Sequence, residues 1–549
     1  MDCQRSDYLP LTRKEQKTCW FRQRSSCSRR VSGKRFPETL GANMSVSSRE
    51  LQDRPNEAAI SPVFGSQAIQ LKFADEVGPR IRARISYAFR VFASIYGYRV
   101  VEEGQPLGTG VSLFYGCKPR VFDDGISVFV PARYRPREDD AGERKSARGR
   151  YANESIFLFF GTDDSTHSPD WLGEIFEWLS SDHERSIIQR DSIGRIPFSG
   201  SIFSAEQISP RKPYAMLVMS WLQNMLQNRG RVESLPRATS PAADSEHFVV
   251  SSHDIDFYYT TKLSALARLL KNLAVSITEF RSWSSCGWNA RCIFKTLAGK
   301  RVGEYLPGLI DESRRYDFRS TVFVVSERKH RRDPEYLPED LASHLLACES
   351  AEFSLGLHGS YKSVIEEQNL LREAVAMKAA LGTKPLGTRQ HWLRFGDHQQ
   401  FFEVVESSGF VYDSTLGFAE AAGFRNGACF AFPPYDFRNE KAHEFLEIPL
   451  VLMDGNIAAS SRATGEKADA IADEILKESR KWGWGGIAAD WHNPLEPLQV
   501  PEEINQIFWK CVKNQSHNRE KWVSASQFMT RCLSRYHNAG LLGGVRLDA

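Results

Sequence analysis

Two carboxylates two residues apart, Asp254 and Asp256, stand in the run His253-Asp254-Ile255-Asp256, directly after the apolar segment Phe248 to Ser251. In an extended chain, side chains two apart share a face, so both carboxylates point the same way. Like charges so placed repel unless a cation or a shared proton relieves them, which suits a metal ligand beside a general base. The plainer alternative is a solvated loop, because Asp is common after any strand. A second run, Gly356-Leu357-His358-Gly359-Ser360-Tyr361, offers an imidazole able to complete a divalent-metal site with Asp256. Later come Arg389-Gln390-His391, Tyr412-Asp413-Ser414-Thr415 and Asp490-Trp491-His492-Asn493. Taken singly, Arg389 could be a surface ion pair, Asp413 a turn cap and His492 a hydrogen-bonded loop residue. Their order along the chain carries more than any one of them.

The elements needed to position these groups are legible in the apolar periodicity. Short apolar strands alternate with helices: Phe248 to Ser251, a helix carrying Leu263, Leu266, Ala267, Leu270 and Leu273, then the strand Thr321 to Val325. The alternation continues through Phe353 to Leu357, a helix with Leu370, Ala374, Met377 and Leu381 on one face, a helix with Ala468, Ile471, Ala472, Ile475 and Leu476, and the strand Gly485 to Ala489. Repeated βα units of this kind imply an α/β fold, a parallel sheet closed into a distorted (β/α) barrel in which active groups gather at the C-terminal ends of the strands. The barrel domain is expected over 247–549 and a smaller α/β domain over 61–227, with helix at Ile81 to Tyr96 and Trp171 to Leu179 and strands at Val111 to Tyr115 and Ile126 to Val130. Between them, 228–246 reads as a linker punctuated by Gly230, Pro236 and Pro241. Residues 1–60 read as a disordered basic extension, with Met44 as an alternative start; a transit-like tail is the other reading of its composition.

A chain of 549 residues exceeds one hydrophobic core, and 41% hydrophobic residues are enough for ordinary cores. With 71 basic and 68 acidic residues, the whole chain offers no broad electrostatic footprint for nucleic acid or an anionic membrane. No apolar run approaches a transmembrane span, and no secretory signal is visible, so a cytoplasmic location is expected. The ten cysteines include no CxxC pair and read as reduced, mostly buried thiols.

The succession of motifs resembles the polysaccharide deacetylase family over roughly residues 247 to 540, in the branch whose first motif reads His-Asp-x-Asp, second Gly-Leu-His-x-Ser-Tyr, third Arg-Gln-His and last Trp-His-Asn. The phrases Tyr412 to Phe418, Gly423 to Gly427 and Leu446 to Leu450 are similar to this branch too, and the preceding domain resembles its N-terminal companion. The resemblance implies a metal-dependent hydrolase that removes N-acetyl groups from an amino sugar in a glycan. It implies Asp254 as general base, Asp256 and His358 as metal ligands, Arg389 orienting Asp254, His492 as general acid, and Asp413 steering His492. The implied cofactor is a divalent metal, zinc foremost. One departure stands out: the family's second motif carries a second His four residues after the first, and here that position is Lys362. His391, Tyr361 or water could take the vacated coordination place, while a non-catalytic carbohydrate-binding relative and a hydrolase of different specificity are the competing readings. His253, by alternation along the strand, should point away from Asp254.

Overall fold

The strand that carries the first motif, His247–Asp254, is the centre of a wholly parallel sheet, and it is buried along nearly its whole length, as a central strand covered on both faces must be. The computed structural model describes residues 67–108, 110–122, 127–137, 146–151, 154–161, 169–227, 247–258, 261–278, 281–300, 302–364, 369–496 and 500–543. The expected basic extension 1–60 and the linker 228–246 lie outside them.

The sheet runs in the order Leu446–Glu447, Tyr412–Asp413, Gly387–Gln390, Ser354–Gly359, Thr321–Val324, His247–Asp254, Gly485–Asp490, Leu450–Met453. Its two outermost strands are successive pieces of one extended segment, broken only at Ile448 and Pro449. That single segment draws the sheet round on itself, giving the distorted β/α barrel the periodicity implied. A ninth strand, Glu520–Val523, pairs with the first half of His247–Asp254, whereas Thr321–Val324 pairs with its second half. Parallel neighbours need crossover connections, and helices such as Pro338–Ser350, Asn369–Leu381, His398–Ser407 and Ala468–Trp482 supply them.

Upstream, a four-stranded parallel sheet in the order Arg99–Val101, Ala68–Phe73, Val111–Gly116, Ser127–Pro131 packs with the helices Pro79–Tyr96, Trp171–Ser180 and Tyr214–Gln227. Its apolar side chains join those of the barrel in one core; Tyr87 and Phe176, for instance, both pack edge-on against Tyr435. The phrase Gly423 to Gly427 forms the polar seam. Arg425 makes a two-pronged pair with buried Glu184, at 2.8 Å through Nη2, and Asn426 donates to Ser181 Oγ. Both glycines of the phrase have positive φ, and at Gly423 a Cβ would lie 2.3 Å from the carbonyl oxygen of Pro210, so the backbones can close only with glycine there.

One helix face differs from expectation. In Lys262–Thr278 the residues turned inward are Ala265, Leu269 and Ser276, whereas Leu263 and Leu270 face solvent. The periodicity was that of an amphipathic helix, but its apolar stripe is not covered by the barrel. Among the described residues, no helix is long and apolar enough to cross a membrane.

Candidate active site

Strand register brings the sequence candidates to one end of the barrel. In the parallel pairing Arg389 lies opposite His358, so His391, two residues further on, arrives beside the imidazole of the neighbouring strand. The first strand ends in a tight bend in which Asp256 N–H donates to the carbonyl of Asp254, leaving both carboxylates on the same side. That bend is pinned by the buried Tyr336, whose hydroxyl donates to Ile255 O at 2.6 Å and accepts from Val325 N–H at 3.1 Å.

Three groups meet there. His358 Nε2 lies 3.4 Å and His391 Nε2 3.5 Å from Asp256 Oδ1, and the three donor atoms fall within 4.8 Å of one another. His358 Nδ1 sits 2.9 Å from the carbonyl of Arg389, which fixes the proton on Nδ1 and leaves the Nε2 lone pair facing Asp256. Asp333 stands 3.7 Å from His391 Nδ1 and accepts from Tyr361 N–H at 2.7 Å. Asp256 Oδ1 is buried and receives no hydrogen bond. An orphaned carboxylate oxygen costs stability unless something positive meets it. Ligand atoms at ~2.1 Å around a tetrahedral ion are ~3.4 Å apart, so one carboxylate and two imidazoles at this spacing fit a zinc-like cation. His391, just past the adjacent strand, is the second imidazole of this group, and Lys362 is not part of it. Tyr361 is engaged elsewhere, its hydroxyl accepting from Arg332 and its ring stacked on His330.

Beside this cluster, Arg389 is fully buried and its Nη1 donates to Asp254 Oδ1 at 2.8 Å, Asp490 Oδ1 at 2.9 Å and Ser252 Oγ at 2.7 Å. Burial alone would raise the Asp254 carboxyl, but the Arg389 guanidinium outweighs it and holds the group below the usual carboxylate range. For Asp490 burial and the nearby Asp254 charge prevail, and its carboxyl is pushed well up. Around one guanidinium the two carboxyls are thus shifted in opposite directions, Asp254 down and Asp490 up. Arg389 Nε and Nη2 are seated on the carbonyl and hydroxyl of Ser414.

His492 lies across the cluster, its Nε2 3.6 Å from Asp256 Oδ2 and its Nδ1 2.9 Å from Asp454 Oδ1. Burial opposes the imidazolium, but Asp454 and then Asp490 hold it well above the ordinary histidine value. Asp413, expected to steer His492, is placed otherwise: it accepts from Thr415 N–H and Oγ1, both at 2.8 Å, and so shapes the turn on which Arg389 is seated. The reason is register. Asp413 ends a strand next to that of Arg389, whereas the strand before His492 pairs with Leu450–Met453, and Asp454 follows it directly. Asp454 and Asp490 are the functional candidates missed in sequence, although an acid at the end of an apolar strand was the available signal. Asp333 gave none, lying in a loop beyond its strand. His253 faces away from Asp254, with Nδ1 2.7 Å from Trp491 O and Nε2 3.1 Å from Ser320 Oγ. At the rim, Trp392 is 46% exposed and has a φ of +67°, an uncommon conformation for a bulky residue next to a candidate ligand.

No family model matches the chain, and no curated protein does. Among solved structures it is similar to the Xyl-CE4 domain of a multidomain xylanase from the hindgut metagenome of Trinervitermes trinervoides, at 9% identity and a TM-score of 0.25 over 52% of this chain and 91% of that one. It is also similar to a T48 deacetylase solved with substrate, at 11% identity and 0.26 over 53% and 93%. A peptidoglycan N-acetylglucosamine deacetylase, Bc1960, is similar at 12% identity and 0.24 over 41% and 81%. At such TM-scores nothing about activity passes from those proteins to this one.

Proposed function

We propose that this chain is a divalent-metal-dependent hydrolase that removes the N-acetyl group from an amino sugar in a glycan. The observation that carries the reading is convergence: Asp256, His358 and His391 offer ligands for one cation, flanked by Asp254 on Arg389 and by His492 on Asp454. The acetylated sugar as substrate comes from the motif resemblance, which the arrangement suits. Asp256, His358 and His391 would hold the cation, which when bound supplies polarisation of the acetamide carbonyl and of a water. Asp254, kept ionised by Arg389, takes the proton of the water as its oxygen bonds the carbonyl carbon. His492, kept protonated by Asp454, gives its proton to the nitrogen as the carbon–nitrogen bond breaks, releasing acetate and a free amine. The exposed ring of Trp392 beside His391 suits the apolar face of a pyranose.

Acetate release from N-acetylglucosamine oligomers, with and without a chelator, tests this directly. Activity is expected to vanish on metal removal and return with added zinc; acetate released at full rate by the chelated protein defeats the mechanism. The purified chain should carry about one zinc per chain, lost in His358→Ala and in His391→Ala alike. Stoichiometric zinc without acetate release from any acetylated oligomer would favour the non-catalytic, carbohydrate-binding reading instead.

A further inference from the structure

After the strand that carries Asp254, the chain leaves the barrel as a helical hairpin, Lys262–Thr278 and Trp283–Leu297. The two helices hold each other through a small core of Ala265, Leu269, Cys292 and Val302, separate from the core of the rest of the molecule. Each then shows water an apolar stripe at helical spacing: Leu263, Leu270 and Ile277 on the first, Trp283, Phe294 and Leu297 on the second, all between 53% and 88% exposed. Single exposed apolar residues need no account, but stripes of leucine, isoleucine, tryptophan and phenylalanine on paired helices do.

The charge of the same segment says what would cover them. Between 261 and 300 there are seven lysines and arginines and one acid, Glu279, although the whole chain is nearly balanced. Among the described residues none of the seven forms an ion pair; Lys262, for instance, donates only to the carbonyl of Leu297. Apolar stripes flanked by bases without ion pairs are the signature of helices that lie in a membrane interface, with aromatic and aliphatic side chains in the acyl boundary and basic ones among anionic headgroups. A protein partner with an apolar groove would not by itself ask for so one-sided a charge.

We propose that the hairpin Lys262–Leu297 is a docking element for an anionic lipid surface. It stands independently of the deacetylase reading. The hairpin emerges at the strand end where the candidate site gathers, so docking would set the mouth of the barrel near the bilayer.

The full chain, sedimented with vesicles of phosphatidylcholine alone and of phosphatidylcholine with ~30% phosphatidylglycerol, provides the test. Binding to the anionic vesicles is expected to be at least about tenfold tighter and to weaken as salt is raised. Two variants confined to exposed positions should each reduce it by about tenfold or more while keeping the wild-type melting temperature: Leu270→Gln with Phe294→Gln, and Lys271→Glu with Arg291→Glu. Equal binding to both vesicle types, no binding to either, or a wild-type dimer in solution that the apolar variant makes monomeric would each overturn the proposal, the last in favour of a second copy as the occupant.

Discussion

In the proposed mechanism His492 keeps its charge through a neighbour 38 residues away, Asp454, which accepts from Nδ1 while Nε2 faces the cluster. Replacing Asp454 by Asn removes the largest charge that raises the imidazolium, so His492 should lose its proton at lower pH. The alkaline limb of the kcat/KM profile is then expected to move to lower pH, with a fall of about a hundredfold at neutral pH, and Asp454→Glu should restore part of both. An unshifted profile would remove Asp454 from this role. For Asp254→Asn the expectation is a loss of about a thousandfold with zinc content unchanged, since the proposed mechanism makes Asp254 the base and not one of the three ligands. At this scale the sequence displayed most of the groups that gather at this end of the barrel, because Asp254, Asp256, His358, Arg389, His391 and His492 all lie at or just past strand ends. The partner of His492 was not legible, because it depends on which strands are neighbours, and neighbours are set by sheet order rather than by motif order.

Strands and helices were readable where burial is continuous and not where contact is lopsided. The strands Thr321–Val324 and Gly485–Asp490 are buried throughout and stand out as apolar runs. Two-residue strands such as Tyr412–Asp413 carry no periodicity at all. The helix Lys262–Thr278 was readable as a helix but not as an exposed one, because the same spacing serves a barrel or a lipid surface. The bend that presents Asp256 depends on a hydroxyl from a different loop. Tyr336→Phe leaves Ile255 O and Val325 N–H without that partner, which should cost about 1–3 kcal/mol of stability. It should also weaken zinc retention, read by competition with a chelator, while His253→Asn on the opposite face should leave retention intact.

For the molecule as a whole, the seam between the upstream sheet and the barrel turns on Glu184, which Arg425 and His398 both approach. Burial would raise this carboxyl, but the Arg425 guanidinium, with the His398 ring beside it, holds it far below its ordinary value of 4.5. A group depressed in this way adds stability above the unfolded value and loses it as pH falls below, so the unfolding midpoint should drop as pH falls from about 4.5. Glu184→Gln should flatten that acid-side dependence and cost about 3–5 kcal/mol at neutral pH, by leaving buried Arg425 unpaired. Whole-chain charge, by contrast, averages over such detail: 71 basic and 68 acidic residues nearly balance, while residues 261–300 hold seven bases and one acid.

The segment Leu446–Met453 that shuts the barrel also ends immediately before Asp454. The three proposed cation ligands lie on or just past strands whose pairing does not involve that segment, whereas Asp454, the partner of His492, follows the strand that joins Gly485–Asp490. On the proposed mechanism, then, a chain arrested with its sheet still open is expected to keep its cation ligands together while His492 lacks Asp454, and so to bind zinc without turning over substrate.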